Sequence, residues 1–169
     1  AVFNMDVYFH SNSVISTDKA YYNYLNNETA EVNRKFPKNY IDIVVAYFTH
    51  LKGLFISHGI YEGKIKEHYD SSFVIAVISA ANMYDNATWK LSRREKKEYI
   101  YNVFNKKEVI EFLQDVSVRE DVKPLCKIIA DKDVKKLMKM KRKEKFKNFL
   151  RKNKLIAGVY HLVKGKKND

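Results

Sequence analysis

Glycine and proline are scarce in this sequence, with five glycines and two prolines among 169 residues. A β sandwich or barrel needs a sharp turn after each short strand, and these two residues make many of those turns. The scarcity therefore favours a fold of long helices joined by few turns. A chain of this length is also sufficient for one domain with its own apolar core.

Apolar residues recur with helical spacing through the middle of the chain. The spacing of three and four residues predicts helices over residues 40–60 and 63–85, with Gly59 as the stop between them. A short helix is predicted to run from Pro124 to Ala130, because proline is tolerated in the first turn of a helix. Asp131 or Lys132 then opens a basic segment, in which we expect a last helix over residues 133–151.

Capping signatures mark two further helices. Ser92 and Glu95 have the spacing of a capping box, which predicts a helix over residues 93–104. Asn105 and Glu108 repeat this signature less strongly and predict a helix after them.

The N-terminal residues follow a different pattern. Residues 2–9 have helical spacing, and short β-prone runs on either side of Thr17-Asp18-Lys19 predict strands within residues 13–25. The predicted fold is mainly α, an antiparallel helix assembly with a small β remnant near the N-terminus. Three regions are expected: residues 1–39 with the remnant, a helical domain over residues 40–131, and a basic amphipathic tail over residues 132–169.

The first thirty residues carry a series of short motifs. They begin Ala-Val-Phe-Asn-Met-Asp, continue to Asp18-Lys19 and Tyr22-Asn23-Tyr24, and then read Asn-Asn-Glu-Thr at residues 26–29. This series resembles the stretch of bacterial family 2 glycosyltransferases that follows their acidic Glu-Asp pair. There, a helix leads into a strand, an Asp-Lys turn, a Tyr-x-Tyr strand and an Asn-rich loop over the donor site. The motifs cover about a sixth of the chain, and the later helices match these enzymes in general character only.

The resemblance implies that the chain is the C-terminal part of a GT-A type α/β enzyme. Such a parent enzyme transfers a sugar from a nucleotide-sugar donor to a glycan or lipid-linked acceptor in surface polysaccharide synthesis, with Mn²⁺ or Mg²⁺ as cofactor. Its Asp-x-Asp metal motif and its catalytic Glu-Asp pair would lie before Ala1. We therefore expect no catalytic residue and no cofactor in this chain, and no transfer activity from the chain alone.

The same resemblance implies donor- or acceptor-binding roles for Tyr22, Tyr24 and Asn26. The alternative for the tyrosines is ordinary packing on the sheet and on a helix, and for Asn26 an ordinary solvated loop. One departure weakens a binding role, because Leu25 stands where the family often has a basic residue.

The remaining reactive side chains do not form a site in the sequence. The histidines lack the pairwise spacing of three or four residues that zinc ligands on a helix need, so no metal ligand is assigned. Cys126 lies among Leu125, Ile128 and Ile129, which indicates a buried small side chain and not a nucleophile. Acidic pairs such as Glu120-Asp121 are explained as helix-start residues.

Positive charge is concentrated at the C-terminal end. Residues 1–131 contain 17 basic and 17 acidic side chains, whereas residues 132–169 contain 15 basic and three acidic ones. Basic residues with phenylalanines on an amphipathic helix are typical of segments that lie on anionic membranes. This pattern predicts a lipid-binding surface that consists of Lys139, Lys141, Arg142, Lys143, Phe146 and Phe149. The alternative is a solvated basic face packed on the rest of the protein.

The sequence therefore favours a glycosyltransferase fragment in the cytoplasm, peripheral at the inner face of the membrane. No signal pattern is visible, and no run of apolar residues approaches the length of a membrane span. Two alternatives remain open: a free-standing helical interaction module that binds acidic partners, and a non-specific nucleic-acid binder. The last ranks lowest because no recognised nucleic-acid motif is present.

Overall fold

A computed structural model describes residues 39–86 and 89–152, with side chains as far as Asn148, and the isolated residues Val7, His10, Ser11 and Ser13. Its helices are α1 (Tyr40–Ser57), α2 (Gly63–Asn82), α3 (Arg93–Phe104), α4 (Lys107–Leu113), α5 (Lys123–Ala130) and α6 (Val134–Lys152). A 3₁₀ turn (Met83–Asp85) extends α2. No strand occurs in the part of the chain that is described, so the prediction of a mainly α fold is confirmed. The strands predicted within residues 13–25 fall outside it, apart from Ser13.

The end of α1 confirms the predicted stop at Gly59. Gly59 has φ +65°, a left-handed conformation that costs glycine little. Its N–H donates to the Ile56 carbonyl at 3.0 Å, and the Ile60 N–H donates to the Phe55 carbonyl at 2.9 Å. These two bonds form a Schellman motif, which satisfies the last carbonyls of the helix.

A second Schellman motif joins α5 to α6 around a lysine. Lys132 has φ +51°, and the N–H groups of Lys132 and Asp133 donate to the carbonyls of Ile129 and Ile128, each at 3.0 Å. Asp133 then caps α6, because its Oδ1 accepts from the Lys136 N–H at 2.9 Å. The basic helix therefore leaves the core at a defined angle.

The capping box at the start of α3 is confirmed. The Ser92 N–H donates to Glu95 Oε2 at 2.7 Å, and the Glu95 N–H donates to Ser92 Oγ at 3.3 Å. The helix predicted from Asn105 and Glu108 is confirmed as α4, but the capping role of Asn105 is wrong, since Lys106 precedes α4 and no side chain caps it. Asn105 instead ends α3, where its Nδ2 donates to the Tyr101 carbonyl at 2.8 Å. The link between the two helices is too short for Asn105 to leave α3.

Helix α2 lies at the centre of the fold and packs against α1, α3 and α5. Phe48 of α1 contacts Phe73 with ring centroids 5.2 Å apart, and Phe55 contacts Tyr69 at 5.8 Å. The residue nearer the C-terminus of α1 thus contacts the residue nearer the N-terminus of α2, so the two helices run antiparallel. Edge-to-face ring pairs of this kind contribute beyond their buried area.

The core extends from α1 into the basic helix. Leu137 and Met138 are buried with the side chains of α2, α3 and α5. Burial of large apolar side chains contributes roughly 1.5–3 kcal/mol each. The first turns of α6 are therefore fixed on the helical body.

Helix α1 alone, among the residues described, has the length and overall composition of a membrane span, although its apolar residues form no unbroken run of that length. Core helices can pass the same test. Five of its side chains, Ile41, Val44, Val45, Phe48 and Leu51, are buried in this core.

Candidate functional site

The exposed side of α6 carries the predicted lipid-binding residues. Lys139, Arg142 and Lys143 are exposed, as is Phe146 at 49%. Lys141 is half-buried and pairs with Glu144 at 3.1 Å. The structure therefore brings Lys139, Arg142, Lys143 and Phe146 onto the solvent side of one helix. We call these residues, together with the half-buried Lys141 at their edge, the basic face. The side chain of Phe149 lies outside the described part.

A groove between α3 and α6 collects further positive charge. Its volume is about 230 Å³. We call it the basic groove, and it is lined by Tyr84, Asp85, Arg93, Lys96, Met138, Lys141, Arg142 and Lys145. Asp85 is the one carboxylate in this lining, and it forms an ion pair with Lys145. The basic groove thus shares Lys141 and Arg142 with the basic face.

Tyr84 forms the buried side of the groove. It is 5% exposed. Burial raises the pKa of its phenol, Asp85 acts in the same direction, and the Arg142 guanidinium works against both. Tyr84 therefore stays neutral at physiological pH, and the charge of the groove comes from its basic side chains.

Arg93, Lys96 and Lys145 were not identified as site residues in the sequence. A signal for two of them exists, because Arg93 and Lys96 lie in the first turns of α3. Positive charge there opposes the helix macrodipole, which favours acidic side chains at a helix N-terminus. No such signal exists for Lys145, because its ion pair with Asp85 forms only when α6 packs against the turn that follows α2.

A second groove has a more nearly balanced charge, with four basic and three acidic side chains in its lining. Its volume is about 630 Å³, and it is lined by Arg94, Lys97, Glu98, Tyr101, Asp131, Lys132, Asp133, Val134 and Lys135. Lys132 donates to the Asn105 side chain and lies 6.0 Å from the Tyr101 ring centroid. The lining contains both acidic and basic side chains, so we call it the mixed groove.

Asp70 is a completely buried carboxylate in the middle of α2. Three donors reach it: the Tyr61 hydroxyl at 2.7 Å, the Lys66 ammonium at 2.9 Å and the Ser117 N–H at 2.7 Å. Burial, followed by the bond to Asp70, raises the pKa of Tyr61. Lys66 also donates to the Asp115 carbonyl at 2.6 Å. We call Asp70, Tyr61, Lys66 and Ser117 the Asp70 cluster. Its hydrogen bonds hold the 115–117 segment against α2, and its polar groups are already used in these bonds, which indicates a structural role.

The other candidate side chains do not add a catalytic group. Burial raises the pKa of Cys126, which lies half-buried against the core, so its thiol remains protonated and unreactive. Among the described residues no group of three or more His, Cys, Asp or Glu side chains could hold a metal. Tyr22, Tyr24 and Asn26 lie outside the described residues.

Comparison with protein-family models, curated protein sequences and solved structures finds no match to this chain.

Proposed function

We propose that this chain is the C-terminal helical part of a family 2 glycosyltransferase, and that its basic face holds the enzyme against an anionic membrane. The observation that supports the membrane role is that α6 is anchored in the core on one side and exposes basic residues on the other. Leu137 and Met138 are buried in the core, whereas Lys139, Arg142 and Lys143 are exposed on the same helix. Positive charge is thus presented to the surroundings by a helix that the core holds in place.

The remainder of the proposal extends the resemblance of the first thirty residues. In it, the parent enzyme transfers a sugar from a nucleotide-sugar donor to a lipid-linked or glycan acceptor and uses Mn²⁺ or Mg²⁺. Tyr22, Tyr24 and Asn26 contribute to the donor or acceptor site. The reading frame upstream of Ala1 tests this part, because a catalytic half that ends in Glu-Asp is expected there. A start codon next to Ala1 would contradict it.

The isolated chain should release no nucleoside diphosphate from nucleotide sugars. Measurement with Mn²⁺ or Mg²⁺ and a panel of donors checks this expectation. Turnover above background would place catalytic residues within the chain.

Vesicle binding tests the membrane role. We expect binding to vesicles that contain anionic lipid, weak binding to neutral ones, and weakening with salt, because the Debye length falls to about 10 Å at 0.1 M. Each basic residue near an anionic surface contributes about 1 kcal/mol. The variant Lys139→Gln, Lys141→Gln, Arg142→Gln, Lys143→Gln, called the face variant, should therefore bind about a hundredfold more weakly or worse.

A matched control removes the same charge from other helices. The control variant changes Lys64, Lys97, Lys107 and Lys127 to Gln, all of which are exposed outside α6. It should retain most of the vesicle binding. Phe146→Ser should weaken binding further, because apolar insertion adds to the electrostatic attraction.

The two alternatives give different outcomes. If vesicles are ignored and duplex DNA is bound tightly with a steep salt dependence, the membrane role is wrong and nucleic acid is the partner. If the chain binds neither vesicles nor DNA, the alternative of a helical interaction module that binds acidic proteins is favoured.

A further inference from the structure

The basic groove differs from the mixed groove in the balance and the convergence of its charge. Three elements meet there: the 3₁₀ turn that follows α2, the first turns of α3, and the middle of α6. They contribute five basic side chains and one carboxylate. In the mixed groove, by contrast, Glu98, Asp131 and Asp133 lie among the basic residues.

Two of the five basic side chains in the groove, Lys141 and Lys145, form ion pairs with Glu144 and Asp85. Within residues 39–86 and 89–148, no carboxylate forms an ion pair with Arg93, Lys96 or Arg142. Like charges brought together repel, and Arg93 and Lys96 also oppose the α3 macrodipole. Both effects oppose folding. An anion bound in the groove would be attracted by the basic side chains and by the N-terminus of α3, so both interactions would then become favourable.

The dimensions of the groove restrict the anion. Pockets for drug-sized ligands measure roughly 300–1,000 Å³, and this groove measures about 230 Å³. A small anionic group fits it better than a whole nucleotide. Arginine binds phosphate through two parallel N–H donors and lysine binds it as a point charge, so the combination of Arg93, Arg142 and lysines matches phosphate oxygens.

We propose that the basic groove binds a phosphate group, either a phosphomonoester or a diphosphate, between α3 and α6. The phosphate comes from a lipid headgroup or from a free phosphate compound. The lipid source rests on the proposed membrane function, because the basic face would bring the groove to the headgroups. The binding chemistry itself is independent of that function.

One experiment separates the phosphate from the general attraction of an anionic surface. Phosphatidic acid presents a phosphomonoester, whereas phosphatidylglycerol presents a diester of lower charge. Vesicles of the two lipids are prepared with equal surface charge, and binding of the full chain to both is measured. We expect a preference of about fivefold or more for phosphatidic acid, as one or two extra charge-assisted bonds would produce.

Two double variants on α3 identify the groove. Arg93→Gln with Lys96→Gln should abolish the preference and leave binding to phosphatidylglycerol vesicles mostly intact. Arg94→Gln with Lys97→Gln removes the same charge from the mixed groove and should retain the preference. Arg142→Gln tests the opposite wall without changing α3. Circular dichroism establishes that each variant is folded.

A second arm uses inorganic pyrophosphate as the probe, followed by NMR signals of the arginine Nε–H groups. If pyrophosphate shifts the Arg93 and Arg142 signals and no lipid preference exists, the site takes a free phosphate. If the preference depends on Arg93 and Lys96 and pyrophosphate does not compete, the source is the lipid. If neither probe responds to these residues, or if only duplex DNA does, the proposal is overturned. Loss of all vesicle binding with retained pyrophosphate binding would instead contradict the membrane function alone.

Discussion

The Asp70 cluster and the basic groove handle charge in opposite ways. Asp70 is completely buried, and three donors within the chain satisfy it. The basic groove keeps five cations around one carboxylate at the surface. A buried charge must be matched by the protein itself, because its desolvation is costly. An exposed charge tolerates the absence of a partner, and so it remains available to a ligand.

The largest effect is expected in the buried cluster. Asp70→Ala would leave the Tyr61 hydroxyl and the Ser117 N–H without their acceptor, and it would remove the buried carboxylate that pairs with the Lys66 ammonium. We expect the free energy of unfolding to fall by about 3–5 kcal/mol. Urea unfolding, followed by the fluorescence of Trp89, measures it. Asp115→Ala is the control, because its side chain is 89% exposed and should cost less than about 1 kcal/mol. Equal losses in both variants would contradict the structural role of Asp70.

A smaller effect is expected from the Tyr61 hydroxyl. Burial and the bond to Asp70 raise its pKa above the ordinary value of 10.0. The protonated folded form is therefore favoured, so this stabilisation is complete below about pH 10 and is lost as the pH rises further. Tyr61→Phe should lower stability by about 1–2 kcal/mol at neutral pH and reduce the loss above about pH 10.

Unfolding free energies measured between about pH 8 and 11 check this prediction. Tyr99→Phe is a useful comparison, since burial raises the pKa of Tyr99 to about 12 and its hydroxyl donates to the Ala80 carbonyl at 3.1 Å. If Tyr61→Phe leaves the alkaline loss unchanged, another group produces it.

The contrast between the two regions also explains what the sequence could reveal. Helix positions follow from local periodicity and from caps such as Ser92 and Glu95, whose partners lie within one turn. The basic face was visible for the same reason, because its residues lie within about two turns of one helix. The link from Asp70 to Ser117 spans 47 residues, and Arg93 meets Arg142 only after α3 and α6 pack. Local patterns do not contain such pairings, so both the cluster and the groove required the structure.

A cap mutation at Ser92, which precedes Arg93 of the groove, gives an effect of intermediate size. Ser92→Ala removes the acceptor of the Glu95 N–H and should lower stability by about 1 kcal/mol. Ser92→Asp should retain the cap, and its charge should offset the repulsion near Arg93, so we expect it to be at least as stable as the wild type. Thermal unfolding compares the two, with the exposed Ser57→Ala of α1 as the control. A destabilising Ser92→Asp would mean that the positive charge at this helix start is already compensated.

The smallest effect on stability is expected from the face variant. Lys139 lies three and four residues from Arg142 and Lys143, spacings at which like charges destabilise a helix by about 0.2–0.5 kcal/mol. Only Lys141 among the four pairs with a carboxylate in the part of the chain described, and that Glu144 is 59% exposed. Exposed pairs contribute about 0–1 kcal/mol.

The gain from relieved repulsion should therefore offset the loss of this pair, and the free energy of unfolding should change by no more than about 0.5 kcal/mol. Urea unfolding of the face variant, beside its vesicle binding, makes the measurement. Binding that is lost while stability is unchanged separates a ligand surface from a structural one. If stability instead falls by more than about 1 kcal/mol, the basic residues of α6 hold the fold together, as Asp70 does. The basic residues of α6 would then have a structural role, and the contrast between the two regions would no longer support a membrane role for them.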